Sequence, residues 1–296
     1  MKNKTPIFTG CAPAMVTAFN ESGIDFAAQK DIIEHLIKGG AGAIVVCGTT
    51  GEPSTMTQLE REKLIEFSVK TVNKRVPLVA GSGNNNTASA IEFSKKCQEL
   101  GADALMIVTP YYNKCTQAGL IEHYKAIDAA VSIPIIAYNV PGRTMVNIRP
   151  STAAELGKLK NVVAIKEASG NIGQISDVIR VAGDVLDVYS GDDPLTYPCI
   201  MLGAKGVISV TANAAPKKMA MLAALSLQGD YKKARELHFE LSQLIELMFC
   251  EVNPIPVKKA TELLGFKTSV LRLPLTELSS DNVIKLKAEM QRLKLI

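Results

Sequence analysis

Lys166 closes an apolar run, Val162-Val163-Ala164-Ile165-Lys166-Glu167. A run of that length and composition reads as a buried strand, so the lysine stands where a strand would open into a mouth. An amine among dry side chains, once free of its proton, is a nucleophile for a carbonyl carbon. Other groups able to do chemistry fall at comparable places. Thr49 and Thr50 lie in Gly48-Thr49-Thr50-Gly51-Glu52, and Tyr111 and Tyr112 are adjacent. Tyr138 and Arg143 end the stretch Tyr138-Asn139-Val140-Pro141-Gly142-Arg143, and Gly191 precedes Asp192-Asp193. Taken singly, each has a plain explanation: a solvated lysine, a capped turn, core or interface aromatics, a surface ion pair. Their common placement is what calls for a chemical reading.

That placement comes from the elements. Strands are expected near 12–18, 43–47, 78–80, 104–108, 135–137, 162–165, 186–189 and 206–210. Between them, helices are expected near 25–38, 58–73, 87–100, 117–130, 151–157, 171–181, 194–202 and 216–226. Thr57 with Glu60 reads as a capping box, and Gly101 as the glycine that ends a helix. Such a repeat predicts a (β/α)8 TIM barrel over residues 1–225. An open doubly wound sheet is the alternative, but Gly81-Ser82-Gly83 lacks the third glycine of a dinucleotide fingerprint. After 225 the strand signal stops. Tyr231, Ala234, Leu237, Leu241 and Leu244 recur at helical spacing, so residues 226–296 are expected to form a C-terminal helical domain packed on the barrel.

In such a barrel the active site lies at the carboxyl ends of the strands. Thr49 and Thr50 would follow strand 2, Tyr111 and Tyr112 strand 4, and Tyr138 and Arg143 strand 5. Lys166 would end strand 6, and Gly191 would follow strand 7. A lysine, two tyrosines and a threonine suggest imine chemistry on a 2-oxo acid, with a tyrosine hydroxyl relayed through a threonine to move protons. Backbone N–H groups of the Thr49–Thr50 turn would suit one carboxylate, and Arg143 could take a second bidentately.

Bulk properties exclude several classes. The chain has 296 residues, 47% hydrophobic and 21% charged, with net charge +4. That charge is too small for a nucleic-acid surface, and no apolar stretch is long enough to span a membrane. Six scattered cysteines form no C-x-x-C pair, which suits a reducing cytoplasm. Phe8-Thr9-Gly10-Cys11 follows no apolar segment and does not read as a lipoprotein box. Asp192 and Asp193 have no histidine nearby to complete a metal site, and His35, His123 and His238 fall in expected helices. No metal or resident cofactor is expected. A phosphate-binding barrel would need glycine-rich turns after strands 7 and 8, which are only partly present. A silent scaffold need not retain Lys166, Tyr138, Thr50 and Tyr112 together.

Five stretches carry a resemblance. They are Gly48-Thr49-Thr50-Gly51-Glu52, Val108-Thr109-Pro110-Tyr111-Tyr112-Asn113, Tyr138-Asn139-Val140-Pro141-Gly142-Arg143-Thr144, Ile165-Lys166-Glu167-Ala168-Ser169-Gly170 and Asn253-Pro254-Ile255-Pro256-Val257-Lys258. Over essentially its whole length the chain resembles the 4-hydroxy-tetrahydrodipicolinate synthase (dihydrodipicolinate synthase) family. That family belongs to the pyruvate-dependent class I aldolases, together with N-acetylneuraminate lyase. The resemblance implies condensation of pyruvate with L-aspartate 4-semialdehyde. It implies an imine at Lys166, proton transfer by Tyr138, and a relay through Thr50 to a Tyr112 donated by a neighbouring subunit. It further implies pyruvate carboxylate on Thr49 and Thr50, the semialdehyde carboxylate on Arg143, and Gly191 and Ile208 lining the pocket through their backbones. A homotetramer built as a dimer of dimers is implied as well. The nearest rival is another pyruvate-type aldolase acting on a sugar acid or hydroxy-oxo acid. One departure concerns regulation. Lysine-inhibited members carry a glutamate and histidines where this chain has Ser89, Gln58 and Arg61, although Asn85 and Tyr111 are kept. Without that carboxylate a bound lysine loses its ammonium partner. Feedback inhibition by lysine is therefore expected to be weak or absent, with half-inhibition in a steady-state assay above about 1 mM.

Overall fold

The computed structural model describes residues 5–296. Eight parallel strands follow one another around a ring: β1 Gly10–Pro13, β2 Ile44–Val46, β3 Leu78–Gly81, β4 Ala104–Val108, β5 Ile135–Asn139, β6 Val162–Glu167, β7 Asp187–Ser190 and β8 Gly206–Ser209. β8 pairs with β1, and a bridge between Ala14 and Val45 joins β1 to β2. The expected barrel is therefore the observed one, and the open sheet is excluded.

Helices α1 Phe26–Lys38, α2 Gln58–Val72, α3 Thr87–Glu99, α4 Gln117–Asp128, α5 Pro150–Leu156, α6 Ile172–Ala182, α7 Thr196–Met201 and α8 Pro216–Gln228 alternate with the strands. Three more follow: α9 Tyr231–Leu247, α10 Ile255–Leu263 and α11 Ser280–Arg292. Their starts are set by short polar side chains. Asp25, Asn86, Thr116 and Asn171 each accept from an N–H of the first turn, and Thr57 with Glu60 completes both halves of a capping box. Each cap stabilises its helix by about 1 kcal/mol. Gly101, just past α3, has φ +93, a left-handed conformation that favours glycine.

The pleat sorts the strand residues into two cores. Ala12, Val45, Val79, Ile136, Ala164 and Ile208 fill the ring. Phe8 joins them, its ring stacked 4.2 Å from that of Tyr189. Ile44, Val46, Leu105, Ile107, Ile135 and Ile165 face the helices instead. The same period of two puts Lys166 on the inward face with Ala164, and Tyr138 inward with Ile136.

β1 is displaced from the expected 12–18. It ends at Pro13, and the chain then crosses the rim with little strand pairing. Side chains take over there: Val16 N–H donates to Asn213 Oδ1 (3.1 Å) and Ala18 N–H to Gln29 Oε1 (2.9 Å). An apolar run without a sheet partner thus reads as strand in sequence but is rim in the fold. Residues 19–24 form a small hairpin that the sequence pattern did not show.

Candidate active site

Tyr138 and Lys166 are register partners in β5 and β6. Both point into the ring and are buried, at 6% and 5% exposure. The Lys166 Nζ lies 4.2 Å from the centre of the Tyr138 ring. Tyr138 was expected after its strand; instead β5 runs on to Asn139, and β6 to Glu167. Those two polar residues continue the strands because they satisfy each other behind the ring. Asn139 Nδ2 donates to Glu167 Oε2 and to Asn147 Oδ1, both at 2.8 Å. Gln174 Nε2 and the Ser169 N–H complete the set on Glu167.

Gly191 follows β7 and presses on the lysine stem. A Cβ there would lie 2.9 Å from both Cγ and Cε of Lys166 and 2.7 Å from Ala168 Cβ, so only glycine fits beside this lysine without displacement. Ile208, 1% exposed, sits in the inner cluster on the same side of the ring.

Thr49–Gly51 forms a single 3-10 turn after β2. Gly51 N–H donates to Gly48 O (2.8 Å) and Glu52 N–H to Thr49 O (3.1 Å). The first N–H groups of the turn, those of Thr49 and Thr50, stand ahead of these bonds. Thr17 Oγ1 donates to Gly51 O at 2.7 Å and fixes the turn from β1's side. The Thr50 hydroxyl is buried and accepts from Asn253 Nδ2 at 3.1 Å. Cys47, just before the turn, is buried, and burial pushes its thiol up to about 12; such a thiol packs rather than reacts.

Arg143 lies on a helical turn, Pro141–Thr144, that the sequence pattern did not reveal. It is exposed, and its guanidinium donates to Asn253 O at 3.3 Å. Asn253 therefore touches both Thr50 and Arg143, yet nothing in its local sequence assigned it a place in the mouth. Only its occurrence beside Pro254 in a motif-like stretch marked it.

Tyr111 and Tyr112 lie on the loop after β4. Asn85 Nδ2 donates to Tyr111 O (3.1 Å) and Asn113 Nδ2 to Asn85 O (2.9 Å), clamping the loop. Tyr112 has φ +70 and is 92% exposed. Within one chain it is turned to solvent and does not meet Thr50.

A cavity of about 290 Å³ opens on the β2–β5 side, with Thr49, Arg61, Tyr111, Tyr138 and Arg143 in its wall. Lys166, Thr50, Gly191 and Ile208 are outside that lining. Two guanidiniums and no carboxylate line the cavity, a charge arrangement that attracts anions. Arg61 lies over the Phe93 ring at 4.2 Å. Gln58 and Ser89 sit in the first turns of α2 and α3. Asp193 is committed to structure, its Oδ2 accepting from Val210 N, Thr211 N and Thr211 Oγ1.

A lysine held inside a barrel at the carboxyl ends of its strands, beside a tyrosine and an anion-attracting cavity, places the molecule among barrel proteins whose active site opens at that face. Comparison with known proteins narrows this. The model of the dihydrodipicolinate synthetase family matches residues 7–293, and the chain belongs to that family. The 4-hydroxy-tetrahydrodipicolinate synthase of Thermoanaerobacter sp. (strain X514) is 49% identical over 292 residues, 98% of each chain. The solved dihydrodipicolinate synthase of Aquifex aeolicus has 44% identity and a TM-score of 0.95, covering 97% of this chain and 99% of its own. The chloride-inhibited dihydrodipicolinate synthase of Acinetobacter baumannii, solved with pyruvate, has 41% identity and a TM-score of 0.96 over 98% and 100% of the two chains.

Proposed function

We propose that this chain condenses pyruvate with L-aspartate 4-semialdehyde to 4-hydroxy-tetrahydrodipicolinate, the first committed step of diaminopimelate and lysine biosynthesis. The observation that carries this reading is the buried amine of Lys166 against Tyr138, at 4.2 Å, in a chain matched by the family over 7–293. The pyruvate complex of the similar Acinetobacter enzyme supports the choice of first substrate.

Lys166 attacks the pyruvate carbonyl and water leaves, forming an imine. The imine draws electrons from the methyl carbon, which loses a proton to give an enamine. Tyr138 carries these protons, with Thr50 linking it to Tyr112 of a neighbouring subunit. A positioned acid–base group of this kind accelerates a step by about 10²–10⁴-fold. N–H groups of the Thr49–Thr50 turn hold the pyruvate carboxylate, and Gly191 and Ile208 present their backbones to the pocket. Arg143 holds the carboxylate of the semialdehyde while the enamine carbon attacks its aldehyde. The substrate's own amine then displaces Lys166 and closes the ring. No metal or resident cofactor enters this scheme. The exposed Tyr112 fits a homotetramer built from dimers. Among the described residues no helix is long and apolar enough to cross a membrane, and the assignment includes a cytoplasmic enzyme.

Arg143→Ala separates the two substrates. Loss of a charge-assisted contact of about 1.5–3 kcal/mol should lower kcat/KM for the semialdehyde by about 10- to 150-fold. Borohydride trapping of pyruvate should persist unchanged. Equal loss of both, or of neither, contradicts the substrate assignment.

A further inference from the structure

Lys258 comes from α10, far along the chain from the catalytic mouth, yet it ends beside the turn that precedes α2. Its Nζ lies 2.6 Å from Glu52 Oε1, and both side chains are 1% exposed. Among the described residues no other ion pair is buried at both ends. A buried pair of this kind is weak evidence for stability, because desolvation offsets the attraction, and an apolar pair of similar size would fill the space as well.

Glu52 has φ +57, a left-handed backbone unusual outside glycine. Its N–H donates to Thr49 O and closes the Thr49–Gly51 turn, so a displaced Glu52 displaces the turn. Its second carboxylate oxygen accepts the Arg272 N–H at 3.4 Å. Lys258 also donates to Val270 O. Lys258 and Arg272 both lie over the Phe19 ring, 4.7 and 4.2 Å from its centre. Arg272 reaches on to Glu60 in the capping box of α2. The turn is thus held at its closing residue by a cluster of two carboxylates and two cations, and by Asn253 at Thr50.

We propose that Lys258 is a positioning residue for pyruvate: through Glu52 it sets the N–H donors of Thr49 and Thr50 that receive the substrate carboxylate. This rests on the reading of that turn as the pyruvate carboxylate site.

The test is the full chain with E52Q/K258M, which removes both charges and strands neither. KM for pyruvate and for the semialdehyde is measured for each protein; KM does not depend on the fraction folded. A merely structural pair would lower the amount of active enzyme and leave both KM values alone. A positioning pair raises KM for pyruvate at least tenfold and leaves KM for the semialdehyde within twofold. An unchanged KM for pyruvate overturns the proposal. Should the double variant fail to fold, E52D, which keeps both charges but shortens by one methylene the tether between the turn and Lys258, decides by the same ratio of KM values, a rise confined to pyruvate supporting the proposal and no rise overturning it. If the unmodified protein gives no borohydride-trapped pyruvate adduct on Lys166, the underlying reading has failed. If it does, and the ratio stays flat, only the role of Lys258 has failed.

Discussion

Lys166 and Tyr138 are opposite each other in adjacent strands, with the amine 4.2 Å from the ring centre. Their separation is held by the ladder between β5 and β6 rather than by a loop. Behind them the Asn139–Glu167 hydrogen bond ties the same two strands together at 2.8 Å. Rigid placement of this kind suits the roles proposed for them, nucleophile and proton carrier, since small misplacements cost rate steeply.

Gly191 should tolerate no side chain. Gly191→Ala sets a methyl 2.9 Å from the Lys166 stem, an overpacking that costs about 1–3 kcal/mol. The expected result is a lower melting temperature and a rate of borohydride trapping with pyruvate reduced about tenfold or more. An unaltered trapping rate in the folded variant would show that the lysine has room to move and that this packing does not position it.

Tyr112 is 92% exposed in the single chain, so its proposed role needs a second subunit. Tyr112→Phe should lower kcat by about 10²-fold or more with little change in melting temperature. Mixing Tyr112→Phe chains with Lys166→Ala chains should restore part of the activity, because some mixed sites combine an intact lysine with an intact tyrosine. No recovery in demonstrably mixed oligomers would place the relay within one chain.

The Arg272–Glu60 contact has a pH signature. Hydrogen bonding from Arg272 is the main cause that lowers the Glu60 carboxyl from 4.5 to about 2. A carboxyl depressed in the folded state contributes stability that is present above its unfolded value and lost as pH falls through the folded value. The window is therefore about pH 4.5 to 2. With a quarter of each side chain exposed, the contribution should be about 1–2 kcal/mol after solvent screening. Denaturant unfolding of Arg272→Gln at pH 7 and at pH 3 should show a smaller acid loss than the unmodified protein. An identical acid loss would assign the sensitivity to other carboxylates.

Much of this molecule was legible in its sequence. β4 falls on 104–108 as expected, because its apolar run pairs on both sides and ends at a turn. The capping box at Thr57 could be read directly from residue spacing. Sequence pattern and fold part where local composition and tertiary partners disagree. β1 stops early because 14–18 lack a continuous ladder, while Asn139 and Glu167 stay in their strands because they bond to one another. Arg143 could be singled out, but not the short helix that carries it. Asn253 and Lys258 stand out in sequence only as the two ends of a stretch that carries the resemblance; their contacts are not legible there, because their partners Thr50 and Glu52 are 203 and 206 residues away and no periodic pattern records a contact of that range.

The chain has two buried lysines near the mouth, at 5% and 1% exposure, and only one is free for chemistry in this account. Lys258 is committed to Glu52, and burial is the main cause that lowers its pKa. Borohydride reduction in the presence of pyruvate, followed by peptide mapping, addresses the choice directly. One reduced pyruvyl group on the peptide that contains Lys166 is the predicted result. An adduct on Lys258, or none at all in active enzyme, would contradict the account.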